Sequence, residues 1–240
     1  VSASGTIVAS RLAVGHGHRA VVRGIDLDVP AGGLLVLIGT NGSGKSTLLK
    51  TLAGLLAPID GRVTVLGRAP GDDPRRTAYL PQHPVSSHTL PLRAADVVAM
   101  GRYARRGLLR PLRSEDRDAV ADAMRRTGAD ETADRAVRDL SGGQQQRTHL
   151  AQVLAWGADV LLLDEPTAGL DLNGRATVAR IIDEERARGA TVVLATHELA
   201  DAERATTVVL LAQRVVSCGP PSEALRDEHL RECYGFTQPH

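Results

Sequence analysis

The chain has 240 residues, of which 24% are charged and 42% hydrophobic, and a formal net charge of +1. That length suits one large domain, or a domain with a small insertion, able to bury about 70% of its unfolded surface without a staple. The near-neutral balance excludes a global field for nucleic acid; the widely spaced Cys218 and Cys233 exclude a disulfide framework or C-x-x-C zinc site; and no apolar run approaches the roughly 18–20 residues of a membrane span.

Taken in chain order, Ile25, Leu27 and Val29 alternate with Asp26 and Asp28, the pattern of a half-buried antiparallel strand. Leu34–Ile38 is a continuous apolar run, as expected of a strand buried on both faces. A glycine-rich turn follows, then helical spacing through Leu48, Leu49, Leu52 and Leu55, broken at Ala57-Pro58-Ile59-Asp60-Gly61. Arg62–Leu66 and Thr77–Leu80 read as short strands. From Leu92 to about Gly128 the pattern is helical and Arg-rich, interrupted near Pro111, and looks like an insertion. Beyond it the sequence predicts a helix from Ser141, a strand at Val160–Leu163, a helix near Arg175–Arg188, and strands at Thr191–Ala195, Thr207–Leu211 and Val215–Cys218, with a polar helical tail. Strands alternating with helices predict an α/β parallel sheet. Val1–Gly5 lacks the features of a secretory leader, so a water-soluble chain is expected, reaching any membrane through a partner.

Gly39-Thr40-Asn41-Gly42-Ser43-Gly44-Lys45-Ser46 matches G-x-x-x-x-G-K-[ST], with a strand before it and a helix, containing Thr47, after it. The glycines let successive backbone N–H groups point at phosphate oxygens, and the helix adds its positive end. Two of the 29 basic residues are lysines, Lys45 and Lys50. A chain that uses arginine nearly everywhere keeps at position 45 the compact ammonium that a phosphate nest accepts and a planar guanidinium fits poorly. Ser46 offers a hydroxyl to Mg²⁺. Val160–Leu163 ends in Asp164, at the strand end where ligands sit in parallel sheets, so Asp164 can hold Mg²⁺. Glu165 can orient or deprotonate an attacking water. By themselves, Asp164, Glu165 and Pro166 could equally be a polar turn.

Leu140-Ser141-Gly142-Gly143-Gln144-Gln145-Gln146-Arg147 places an N-cap serine and two bare glycines at a helix start, a second anion site. With the phosphate loop, this stretch resembles the ATP-binding subunits of ABC transporters over nearly the whole chain. The resemblance implies an α/β fold: a P-loop NTPase core of RecA type with a parallel sheet, an N-terminal antiparallel β subdomain and an inserted helical subdomain at about 84–156, all within one domain of 1–240. It implies ATP and Mg²⁺ as ligands, with Ser141, Gly142, Gly143 and Gln144 completing the site of an opposing copy in a head-to-tail homodimer. It also implies roles for single residues: Gln82 for Mg²⁺, water and sensing the transmembrane partner, Asp171 for coupling the two sites, and His197 for the γ-phosphate.

His16 stands where the family usually stacks an aromatic on adenine; a plain loop histidine is the alternative. Thr40 replaces a more usual proline, and Gly33 an acidic residue. His18, His83, His88, His149, His229 and His240 form no metal-ligand pair at helical spacing. Arg102, Arg105, Arg106, Arg110 and Arg113 read as a solvated helix face, or as one turned to the membrane or a permease loop. The implied partners are membrane permease subunits and, through them, an extracytoplasmic substrate-binding protein, with the chain at the cytoplasmic face of the membrane and no nucleic acid bound. Met100-Gly101-Arg102-Tyr103, Thr196-His197-Glu198-Leu199 and the tail Gly219-Pro220-Pro221 to Tyr234-Gly235 resemble the zinc/manganese importer branch, with the iron-chelate and cobalamin branch as runner-up. A non-transport ATPase acting on ribosome or DNA, and a non-hydrolysing nucleotide-binding scaffold, are the competing classes.

Overall fold

The computed structural model describes residues 5–82, 92–106 and 110–235, with only the backbone of 104–106. Its organising element is β3 (Leu34–Gly39), in which every residue is buried. It lies between two parallel neighbours, β7 (Thr191–Thr196) and β8 (Thr207–Leu211). The sheet extends through β6 (Val160–Asp164) to β5 (Thr77–Leu80), and on the other side to β9 (Val215–Gly219), giving the order β5-β6-β7-β3-β8-β9 with only β9 antiparallel. The continuous Val/Leu/Ile runs of β3, β6, β7 and β8 follow from this double burial.

The pleat sends alternate residues of β3 into two cores. Leu35 and Leu37 join α1 (Lys45–Leu52) and a second, three-stranded antiparallel sheet of order β2-β1-β4, made of β1 (Ile7–His16), β2 (Arg19–Val29) and β4 (Asp60–Val65). Leu34, Val36 and Ile38 join the helices of the opposite face: α2 (Ala94–Arg106), α3 (Ser114–Thr127), α4 (Gly142–Trp156), α5 (Leu172–Ala187) and the short α6 (Leu199–Glu203) and α7 (Pro221–Ala224). The last helix, α8 (Asp227–Tyr234), adds Cys233 to that core. The polar tail foreseen from the sequence is thus α7 and α8.

Two differences from the sequence reading have plain causes. β1 lacks the alternating pattern because its register shifts between Ala9 and Leu12 and again before Val14, with Arg11 at φ 46°; the irregularity scrambles the in–out period. The helix expected near Arg175 starts at Leu172 because Asp171 caps it, its carboxylate accepting the Gly174 N–H at 2.8 Å.

The arginine stretch is also corrected. Arg102 is neither solvated nor turned to a membrane. Its guanidinium donates to Asp116 Oδ1 at 2.9 and 2.8 Å and to the Ala155 carbonyl at 3.0 Å, joining α2, α3 and α4. Asp116 is 2% exposed and also accepts the Arg113 N–H at 2.9 Å. Arg110 and Arg113 are exposed as expected, while the side chains of Arg105 and Arg106 lie outside the described residues. A second set of ion pairs, from Arg126 on α3 to Glu184 and Glu185 on α5, ties these helices to the sheet layer. Removing one partner of a buried pair strands the other, at a cost of about 3–5 kcal/mol. Asp116→Ala is therefore expected to lower the urea midpoint by that equivalent, and Arg102→Met combined with Asp116→Leu to recover part of the loss.

Candidate functional site

The site sits beyond the C-terminal ends of β3, β6 and β7, where adjacent parallel strands deliver their loops to one edge. The loop leaving β3 is held shut by sterics and by its own lysine. A Cβ on Gly39 would lie 2.0 Å from the Leu211 carbonyl oxygen, and Gly44, at φ 109°, would place one 2.4 Å from Val22. Glycine is required at both. Lys45, buried at the start of α1, donates to the carbonyls of Gly39 at 2.7 Å and Thr40 at 3.2 Å. Burial pulls its pKa below the usual lysine value, opposed by the charges of Glu165 and Asp164. Thr40 carries no special strain; its carbonyl accepts from both Lys45 and the Ser43 N–H.

The loop walls a cavity of about 410 Å³, lined by Asn41, Gly42, Ser43, Gly44, Lys45, Ser46 and Thr47, and beyond them by His16, Val21, Gln82 and Glu165. Ser43 Oγ is buried with no partner among the described residues. A buried hydroxyl left unsatisfied is costly unless a ligand completes it.

Asp164 ends β6, 2% exposed, with Oδ1 buried and unpartnered. Burial raises its pKa, while hydrogen bonds from Ser46 and Tyr79 pull the other way; the Tyr79 hydroxyl donates to Oδ2 at 3.3 Å. That phenol is itself pushed up, first by burial and then by Asp164. A buried carboxylate with a spare oxygen, beside the Ser46 hydroxyl and the Gln82 amide, is a hard oxygen set that fits Mg²⁺. Among the described residues there is no cluster of three or more His, Cys, Asp or Glu that could hold a metal.

Glu165 turns out of the strand at once. Its φ is 49°, uncommon for a residue with a side chain, and its N–H is tied to the Ala195 carbonyl of β7 at 2.9 Å. The turn leaves Asp164 in the core and sends Glu165 into the cavity. Gln82 Nε2 donates to Glu165 Oε2 at 3.0 Å, and His197 Nδ1 stands 4.0 Å from the same oxygen. His16 ends β1, exposed on the cavity wall, with Nε2 3.4 Å from Thr47 Oγ1. It is the last residue of β1, next to the turn at Gly17 and His18.

Ser141, Gly142, Gly143, Gln144 and Asp171 are not brought to this cavity. Ser141 caps α4 with a capping box, accepting the Gln144 N–H at 3.4 Å while its own N–H reaches Gln144 Oε1 at 3.0 Å. Asp171 caps α5, with Arg147 at 3.8 Å. Both cap sites sit next to one another, a Cβ on Gly143 falling 3.4 Å from the Gly169 carbonyl. Tyr79 and Val21 are site residues that no motif marks in the sequence. Tyr79 was traceable only through its strand, which ends two residues before Gln82.

The ABC transporter family model matches residues 22–168, more than half of the chain. The manganese transport system ATP-binding protein MntB of Bacillus subtilis is 36% identical over 223 residues, covering 92% of this chain and 89% of that protein. The hemin import ATP-binding protein HmuV of Streptomyces coelicolor is 43% identical over 242 residues, covering 97% and 85%. Among solved structures, CbiO1 of Clostridium perfringens, part of the CbiONQ transporter complex, superposes with a TM-score of 0.77 at 25% identity, over 99% of this chain and 97% of that one.

Lys45→Met keeps the stem and removes the charge. Loss of a charge-assisted bond costs about 2 kcal/mol or more, so calorimetric titration with triphosphate should show affinity at least roughly thirtyfold weaker, with the thermal midpoint little changed.

Proposed function

Because this chain belongs to the ABC transporter family and is an ATP-hydrolysing subunit that works with a membrane permease, we propose that it drives import of a metal cation, zinc or manganese, from the cytoplasmic face of the membrane, as a homodimer fed by an extracytoplasmic binding protein. Among the described residues no helix is long and apolar enough to cross a membrane. The observation that carries the hydrolytic part is that Gln82 and His197 both approach Glu165, which lines the phosphate-loop cavity.

In this reading the backbone of Gly39–Gly44 and the Lys45 ammonium cradle the β- and γ-phosphates, and Thr47 and His16 line the way to the base. Ser46, Asp164 and Gln82 would hold Mg²⁺, which would supply positive charge against the charge that develops on the phosphate oxygens. Glu165, held by Gln82, orients the attacking water and accepts its proton. His197 contacts the γ-phosphate. The glycines and Ser141 at the start of α4 close on the ATP of the opposing copy, with Asp171 linking the two sites; their distance from this chain's own cavity supports that assignment. The domain is a single unit of 1–240, with the helices of about 84–156 as the part that answers the permease; residues 83–91 lie outside the described residues.

The cargo rests on resemblance alone. The manganese relative supports a metal cation. A second reading, an iron-chelate importer, is favoured by the higher identity to the hemin-import relative. No residue of this chain meets the cargo, so the choice belongs to a cell-level measurement.

General-base catalysis contributes about 10²–10⁴-fold. Glu165→Gln is therefore expected to bind ATP as the unmodified chain does and to lose turnover by at least about 10²-fold; unchanged ATPase activity would remove the role given to Glu165. In cells limited for metal, the same variant should lower whole-cell zinc or manganese selectively. A fall in iron instead selects the chelate reading.

A further inference from the structure

His197 lies on a two-residue bridge between β7 and α6, and a cluster of contacts fixes the bridge's shape. Thr196 Oγ1 accepts the Glu198 N–H at 3.1 Å and donates to Asp201 Oδ2 at 3.0 Å. The imidazole stands between two carboxylates, Nδ1 at 4.0 Å from Glu165 and Nε2 at 3.6 Å from Glu198. Glu198 is in turn held by Arg175 of α5 through a short ion pair. Arg175 is one turn into its helix, its N–H donating at 2.9 Å to the carbonyl of Asp171, the capping residue.

Between α5 and α6 lies a cleft of about 240 Å³ lined by Thr167, Ala176, Ala179, Ala200 and the charged residues that cross it. Two ion pairs span the gap between these helices, Arg175–Glu198 and Arg204–Asp183. Only the first reaches the histidine. The Thr196 hydroxyl holds the Glu198 backbone, and Arg175 holds its carboxylate, which faces the ring.

We propose that Arg175 and Glu198 are positioning residues for hydrolysis: Glu198 orients the His197 ring toward the γ-phosphate and Glu165, and Arg175 ties that orientation to the Asp171-capped start of α5. The inference rests on the hydrolytic reading given above. It supplies a physical route by which the loop ending in Asp171, when met by a second copy of this chain, reaches His197 in the same subunit. Arg175 is 44% and Glu198 36% exposed at the side chain. A pair that open adds little to fold stability, so its loss should appear in catalysis.

The test is steady-state ATPase kinetics on the full chain. Displacing a catalytic group lowers turnover without loosening the ground state. Arg175→Ala is expected to reduce kcat about tenfold with the ATP KM within about twofold, and Arg175→Lys, which keeps the charge, to recover most of it. Glu198→Ala should match Arg175→Ala, and the double variant should be no worse than Glu198→Ala, because the two act as one unit. Arg204→Ala, which cuts the other ion pair, should retain full turnover. The proposal is overturned by an unchanged kcat in Arg175→Ala, by a raised KM at constant kcat, by additive losses in the double variant, or by an equal loss in Arg204→Ala. If the unmodified chain hydrolyses no ATP, the hydrolytic reading fails; if it does, and Glu165→Gln stops it while Arg175→Ala does not slow it, this inference alone fails.

Discussion

Burying β3 on both faces constrains everything near the site. A strand with no polar face has nowhere to place hydrogen-bonding side chains along its length, so polar chemistry must wait for its end. β6 and β7 obey the same rule, and β3, β6 and β7 are neighbours running in one direction. Their exits therefore fall side by side. The phosphate loop, Asp164 with Glu165, and His197 are distant in sequence and meet because three dry strands run out together.

Local strain sharpens that meeting. Asp164 and Glu165 are consecutive carboxylates that sit in different surroundings, one in the core and one on the cavity wall. In a regular strand, neighbours already point to opposite faces; here the positive φ at Glu165 breaks the strand so that both serve one site. The N–H bond to Ala195 holds the break in place. Burial raises the Asp164 pKa and the neighbouring Glu165 charge adds to the rise, while the spare Asp164 oxygen stays uncommitted.

Much of this was legible in the sequence, for a physical reason. Continuous apolar runs, a glycine-rich turn with a lone lysine, and a capping serine are local signals, each readable within about ten residues. The strands of the large sheet and the phosphate loop were found that way. What escaped depended on distance or irregularity. β1 was hidden by its register shifts. Arg102 looked like one more surface arginine until α3 placed Asp116 beside it, 14 positions away. Tyr79 bonds Asp164 across 85 positions, and Arg175 bonds Glu198 across 23. No window of sequence contains such pairs, and with arginine so abundant, composition cannot pick out the few that are committed.

The helix after the phosphate loop has one further consequence. α1 is caught between the two sheets, with Leu48, Leu49 and Leu52 fully buried and contacts to β1 and β4 on one side and β3, β6 and β7 on the other. Wedged in this way it has no direction in which to slide or tilt without opening a core. The phosphate end of the cavity is therefore an anvil: a fixed surface against which other parts strike. The opposite layer is joined differently: its helices are linked to one another and to α5 by guanidinium–carboxylate pairs laid across a shared apolar core.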